Sequence, residues 1–317
     1  MVFRKGSLKV FLLSLLLMIV LLAPSVVLPL FRVSSGVTGV ATLCSALPNG
    51  DYPLGIYPIT GGALVEGANS GKLYFCGGGT SRLVASVPAG GSTSAYQGMG
   101  GIKTTANGIV LALTSFGTPP GLWLCKHASA TGCGSKSSYI ALPSSFCKGM
   151  PKGGCLPVGT ALDKSLNVYY VDGSNEVLVE CTAASHYQSC SVLPGSSALS
   201  GHNPQALFLN NGEFYVGDTS CTGTLWAGTG ATLNAFASMG DYATSITISN
   251  KNPQHSPHIY VGIAGSCTAT PGHVLDYNDG ITLPTPFKGP ALIYGLDSSL
   301  QFTGFISGGT YRTTDSA

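Results

Sequence analysis

Residues 157–181 read PVGTALDKSLNVYYVDGSNEVLVEC. Three short runs of β-forming residues, Pro157 to Leu162, Asn167 to Val171 and Val177 to Cys181, are separated by Asp-Lys-Ser-Leu and Asp-Gly-Ser-Asn-Glu. Runs of this length, bounded by Asp, Gly, Ser and Asn, are strand and turn signals, and three in succession predict an antiparallel meander. The central run has a Tyr pair and is followed directly by Asp172.

The same unit recurs along the chain. Its central strand returns as Gly71 to Phe75, Gly108 to Leu111, Gly212 to Val216, His258 to Val261 and, more weakly, Leu300 to Phe302. Aligned on Tyr74, Val110, Tyr169, Tyr215, Tyr260 and Phe302, the intervals are 36, 59, 46, 45 and 42 residues. A period of roughly 40–50 residues is that of a four-stranded propeller blade. A preceding strand is often led by Pro (Pro157, Pro204, Pro290), and a third strand follows at Leu122 to Cys125, Thr224 to Trp226 and Val274 to Tyr277. Fourth strands are read at Tyr139 to Pro143 and Ser191 to Gly195; none is evident in the first unit before Gly100.

The ends of the chain complete this reading. Thr42 to Gly50 has the fourth-strand pattern with no blade before it, and the last unit, from Pro290 to Thr314, supplies only three strands. An N-terminal strand that completes the C-terminal blade would seal the ring and leave no blade half-built. The expectation is an all-β protein, a six-bladed β-propeller closed in this way and preceded by one N-terminal hydrophobic helix.

Pro157 to Cys181 resembles an NHL-type propeller repeat, roughly Pro-x-Gly-(apolar)-Ala-(apolar)-Asp followed by Gly/Asn-x-(apolar)-Tyr-(apolar)-x-Asp. Pro204 to Asp218 follows it more loosely, with Asn210 in place of the first Asp. The resemblance implies the neighbourhood of six-bladed NHL-like propellers, including calcium-dependent lactonase relatives. Fold similarity does not transmit an activity.

Charged residues make up 9% of the 317 positions, against about 25% in an ordinary soluble domain. With 44% apolar residues the chain does not have the composition of a disordered protein. Beyond Arg32 it carries 11 basic and 13 acidic residues, without the basic clusters that nucleic acid requires. Val10 to Phe31 is an uncharged, mostly apolar run of 22 residues, with three basic residues before it and Arg32 after. As a helix it would reach ~33 Å, enough for a bilayer core. The charge bias keeps the N-terminus cytoplasmic and exports the remainder. Residues 1–35 are therefore expected to be a signal anchor or a signal peptide, with the uncleaved anchor favoured, and residues 36–317 the propeller domain, either membrane-anchored or secreted.

Ten cysteines without a C-x-x-C agree with export. Spacing suggests the local pairs Cys125 with Cys133, Cys147 with Cys155, and Cys181 with Cys190; the first and third would bridge the turn of an outer hairpin. Cys44, Cys76, Cys221 and Cys267 are left unassigned, with free buried thiols as one alternative.

Propellers bind ligands where the loops entering the innermost strands converge. Here those loops contain Gly201-His202-Asn203, Met239 to Tyr242 and Lys288-Gly289, and the turns opening on the same face contain Asp172, Asp218 and Ser266. Glu66 interrupts an apolar strand and is a candidate to face the channel. Asn203, Asp172, Asp218, Asp241 and Glu66 are thus the candidate ligand or metal set, suited to Ca²⁺ if they converge. Asp-Gly and Asp-Thr are also ordinary turn starters that cap their own backbone, and that is the stronger reading of these residues. His255 and His258 sit in a Pro-broken loop, and His127 and His186 lie within cystine-closed turns. G-x-S-x-G, P-loop, H-E-x-x-H and EF-hand motifs are absent. The sequence favours a noncatalytic surface scaffold that needs no cofactor, with a protein or glycan ligand at one propeller face and a membrane contact if the leader is retained. The alternatives are a calcium-dependent lactonase-type hydrolase and self-assembly in a surface layer.

Overall fold

The computed structural model describes residues 40–44, 47–48, 53–59, 61–67, 72–86, 99–105, 108–113, 120–125, 129, 131–132, 138–249, 258–283, 302–306 and 310–314. The leader, Glu66's side chain, Cys133, His127, His255, Lys288 and the strand expected at Pro290 lie outside the described residues or side chains. No helix among the described residues is long and apolar enough to cross a membrane.

The protein is a β-propeller. Strand β1 (Val40–Cys44) comes first, followed by five four-stranded antiparallel meanders in chain order. The first is β2 (Pro53–Ile59), β3 (Gly62–Gly67), β4 (Lys72–Gly77) and β5 (Thr80–Ser86). The second is β6 (Met99–Thr105), β7 (Gly108–Leu113), β8 (Gly121–Cys125) and β9 (Ser138–Ala141). A one-turn helix, α1 (Ser144–Lys148), leads to the third: β10 (Pro157–Leu162), β11 (Val168–Asp172), β12 (Val177–Cys181) and β13 (Cys190–Val192). The fourth is β14 (Pro204–Asn210), β15 (Glu213–Asp218), β16 (Thr224–Gly228) and β17 (Leu233–Ser238). The fifth is β18 (Ala243–Ser249), β19 (His258–Ile263), β20 (His273–Asp276) and β21 (Ile281–Leu283). The sixth sheet holds β22 (Phe302–Ile306), β23 (Thr310–Thr314) and β1, in the order β22-β23-β1. Val40 pairs with Thr314 and Cys44 with Tyr311, so the N-terminal strand completes the C-terminal sheet.

Alternate side chains of one strand pack against the sheets on either side of it. Val168 and Tyr170 of β11 share a core with Leu122 of β8, whereas Val171 joins Phe214 of β15 and Trp226 of β16. Burial on both faces explains why second strands read as continuous apolar runs rather than alternating ones.

The first strand of each of the five four-stranded sheets carries a register shift just after its opening residue: Pro53/Gly55, Met99/Gly101, Pro157/Gly159, Pro204/Ala206 and Ala243/Ser245. The five shifts coincide when the sheets are aligned, which makes the bulge part of the repeat. First strands of successive sheets lie side by side. The glycine in Pro157-Val158-Gly159 answers to this approach, because a Cβ there would collide with the Gln205 carbonyl oxygen of β14 and come within 3.0 Å of Leu207. Gly159→Ala should therefore destabilise the protein by about 1–3 kcal/mol through overpacking. Urea unfolding would measure it, and an unchanged midpoint would refute the account.

The aligned bulges also correct the sequence register in the first unit. Tyr74 lies in the third strand, β4, and the residue equivalent to Val110, Tyr169, Tyr215 and Tyr260 is Leu64 in β3. Leu64 and Val110 are 46 residues apart, which brings the short first interval into line with the others. The fourth strand not evident from sequence is β5, whose exposed Arg82 and Leu83 mark it as an outer edge.

Four disulfides are described. Cys181 and Cys190 face each other across β12 and β13, bridging an outer hairpin as expected, and His186 is exposed within that turn. Cys147–Cys155 closes the linker around α1. Cys44–Cys76 joins the sixth sheet to the first, and Cys221–Cys267 joins the β15–β16 turn to the loop after β19. The four cysteines left unassigned by spacing thus link neighbouring sheets. There is no free cysteine among the described residues.

Candidate functional site

Second strands end, and first strands begin, on one face of the protein. In the third sheet Asp172 closes β11 and is fully buried. Its Oδ1 accepts from the backbone N–H groups of Ser174 (3.1 Å) and Asn175 (2.8 Å) and from Asn175 Nδ2 (3.0 Å). Its Oδ2 accepts from the N–H of Leu156 (3.0 Å), the residue before β10. Asp172 thereby ties the strand 2–3 turn to the chain entering strand 1.

Asp218 does the same in the fourth sheet. It too is fully buried, and its Oδ1 accepts from the N–H groups of Ser220 (3.1 Å) and Asn203 (3.0 Å), the latter just before β14. Ser220 Oγ donates to Oδ2. Asn203 Nδ2 donates to Thr219 Oγ1 at 2.7 Å, so its amide is engaged locally.

In the fifth sheet the same joint is built with its polarity reversed. Ile263 occupies the strand-2 position of Asp172 and Asp218, and the carboxylate comes from Asp241, on the entering chain. Asp241 is 1% exposed and accepts from the N–H groups of Tyr242 (2.7 Å), Ser266 (2.9 Å), Cys267 (2.9 Å) and Thr268 (3.0 Å), and from Thr268 Oγ1 (2.8 Å). Burial pushes its pKa up, but the hydrogen bonds from Thr268, Tyr242 and Cys267 more than offset this and hold the carboxyl below its ordinary value. A backbone bond crosses the joint at the equivalent place in all three sheets: Gly173 N–H to Leu156 O, Thr219 N–H to Asn203 O and Ala264 N–H to Tyr242 O.

Of the sequence candidates, the fold brings Asn203 and Asp218 into one joint. Asp172 and Asp241 sit in separate joints. Among the described residues the three aspartates do not form a set of ligands within 4.8 Å of one another. Glu66 lies in β3 opposite Gly55 and Leu73, one strand away from the innermost position. Sequence reading named the loop holding His202 but assigned that side chain no role. His202 Nδ1 lies 3.4 Å from Asp218 Oδ2, its ring meets Trp226 edge-on with centroids 4.6 Å apart, and it is about one-third exposed at 37%. The pattern gave no signal for this contact, since sixteen residues separate His202 and Asp218 and only the β14–β15 register joins them.

The solvent side of these joints is rich in hydroxyls. Ser220 and Thr222 pair at 2.7 Å and Thr268 and Thr270 at 2.8 Å, on the two loops joined by the exposed Cys221–Cys267 bridge.

No protein-family model matches the chain, and no curated protein matches it. Solved structures do resemble it in fold. Virginiamycin B lyase from Staphylococcus aureus is 11% identical with a TM-score of 0.52, over 87% of this chain and 88% of that one. A protein of unknown function from Bacteroides thetaiotaomicron is 13% identical with a TM-score of 0.58, over 86% and 74%. A glucose dehydrogenase is 13% identical with a TM-score of 0.54, over 88% and 100%. At these identities the likeness extends to the fold.

Proposed function

We propose that this protein is an exported, disulfide-braced propeller that acts as a noncatalytic binding scaffold, presenting the joint face to a glycan or to a loop of another protein. The observation that carries this reading is the use of the three buried aspartates. Each carboxylate is occupied by hydrogen bonds from the two segments of its own joint, which leaves these groups as structural clamps and not as ligands for a shared cation. Among the described residues the face offers solvent Ser220, Thr222, Thr268, Thr270 and the half-buried His202, together with the mutually neutralising Lys152–Glu176 ion pair beside Gly201, a hydrogen-bonding surface with little net charge. The cystines and the apolar leader support export. The NHL-like repeat pattern is compatible with the same role.

The calcium-dependent hydrolase reading makes an opposite forecast. Purified protein should show no lactone turnover and no change on chelation, whereas chelator-sensitive turnover would overturn the scaffold. Binding to arrayed glycans and to extracellular protein fractions should fall by about tenfold or more in a Thr222→Arg/Thr270→Arg variant, because two bulky cations would obstruct the face. Undiminished binding by that variant would place the ligand elsewhere.

A further inference from the structure

At the opposite end of the fifth sheet lies a group that the joint face does not use. His258 opens β19 and is 2% exposed; Asp276 ends β20 and is 5% exposed; Asp279 follows in the exposed turn to β21. His258 Nδ1 is 2.7 Å from Asp276 Oδ2 and 3.8 Å from Asp279 Oδ2. One ligand atom from each residue falls within 4.8 Å of the others, a grouping found nowhere else among the described residues. Among those residues, the ion-pair partner of both carboxylates is the one imidazole.

The repeat provides an internal control. Two residues before the aligned Tyr stand Asn167 in the third sheet, Glu213 in the fourth and His258 in the fifth; across from that Tyr stand Glu180, Ala227 and Asp276. The third sheet satisfies its carboxylates with neutral donors: Asn167 Nδ2 donates to Asp163, and the single Tyr169 hydroxyl proton is shared between Glu180 at 2.9 Å and Asp163 at 3.2 Å. The fourth needs only Tyr215 Oη on Glu213. The blade therefore does not require an imidazole and two carboxylates at this place. Only the fifth sheet, of these three, concentrates nitrogen and oxygen ligands there.

We propose that His258, Asp276 and Asp279 form a zinc(II) site that ties the second strand of the fifth sheet to its outer turn. A tetrahedral ion with bonds of about 2.0–2.2 Å sets its ligand atoms ~3.3 Å apart. The contacts of 2.7 and 3.8 Å lie on either side of that value, so one would open and the other close by about half an ångström. One imidazole nitrogen with two carboxylate oxygens suits zinc, whereas calcium takes six to eight oxygens. Exposed Asp279 gives the ion access, and water would fill the fourth position. Outer partners already orient the ligands. Asp276 Oδ1 accepts from the N–H of Asn278 at 3.2 Å, Asn278 Oδ1 accepts from the N–H of Ile259 at 2.7 Å, and the Tyr260 hydroxyl hydrogen-bonds Asp276.

The test is calorimetric titration of the metal-free full chain with zinc chloride and, in parallel, with calcium chloride, together with thermal unfolding. The wild type should take up one zinc ion per chain with a rise in unfolding midpoint, and calcium should do neither. Asp279→Asn, with its metal-free midpoint measured alongside to establish that it is folded, should weaken zinc binding by at least about tenfold. Histidine Nδ1 coordination seen by NMR in the wild type would supply a readout independent of any variant. Absence of zinc uptake by the wild type, or equal uptake by Asp279→Asn, would overturn the site.

Discussion

Asp241→Ala should lower the free energy of unfolding by roughly 4 kcal/mol at neutral pH, the full effect of orphaning a buried set of donors. Four backbone N–H groups and the Thr268 hydroxyl converge on this 1%-exposed carboxylate. Water can reach the exposed Ser266–Thr270 loop once the side chain is gone, which keeps the cost near the low end of about 1–3 kcal/mol for each unpaired donor. Asp241→Asn retains one acceptor but aims an NH₂ at donors, and should cost about half as much. The pH dependence has a defined sign. Because the folded carboxyl titrates below its unfolded value, its contribution is fully present above about pH 4 and is lost as pH falls through the lower, folded pKa. Denaturant unfolding of wild type and Asp241→Asn across the acid range should show the two curves approaching each other below about pH 4. A gap that stays constant into strong acid would exclude the ionised carboxylate as its source.

Removing the Cys221–Cys267 bridge as a double serine variant should cost a similar amount. The two residues are 46 apart in sequence, and a cross-link closing a loop of that size restricts the unfolded chain by about 4 kcal/mol. The hairpin bridge Cys181–Cys190, with a separation of 9, should be worth somewhat under about 3 kcal/mol by the same reasoning. Reductant acting on the wild type should reproduce much of the larger loss. Cys267 is both a bridge partner and, through its N–H, a donor to Asp241. Combining the double serine variant with Asp241→Ala should therefore lose less than the sum of the two, since both act on the same loop. Strict additivity in urea titrations would show that the joint is held by independent contacts.

The fold was largely legible because second strands are buried on both faces, which makes Asn167–Val171, Gly212–Val216 and His258–Val261 stand out as apolar runs. The same logic misled in the first sheet. Gly71–Phe75 looks like a second strand because Tyr74 is packed in a core with Cys44, Leu47, Ala63 and Val65, where the end of the ring covers β4. Local composition reports burial, and burial here comes from a strand nearly thirty residues upstream. The clamps were legible only as alternatives, since an Asp that starts a turn and an Asp that binds a cation are the same letter. Counting the donors around Asp172, Asp218 and Asp241 separates the two. The cross-sheet cystines and the pairing of His258 with Asp276 needed the register itself, because no spacing rule joins residues 18, 32 or 46 positions apart.

Pairing β1 with β23 also has a consequence for biogenesis. A ribosome makes Val40 well over two hundred residues before Thr314, so β1 must wait for β23 before it can pair. Until β23 emerges, the nascent chain carries an unmatched edge that can recruit another copy.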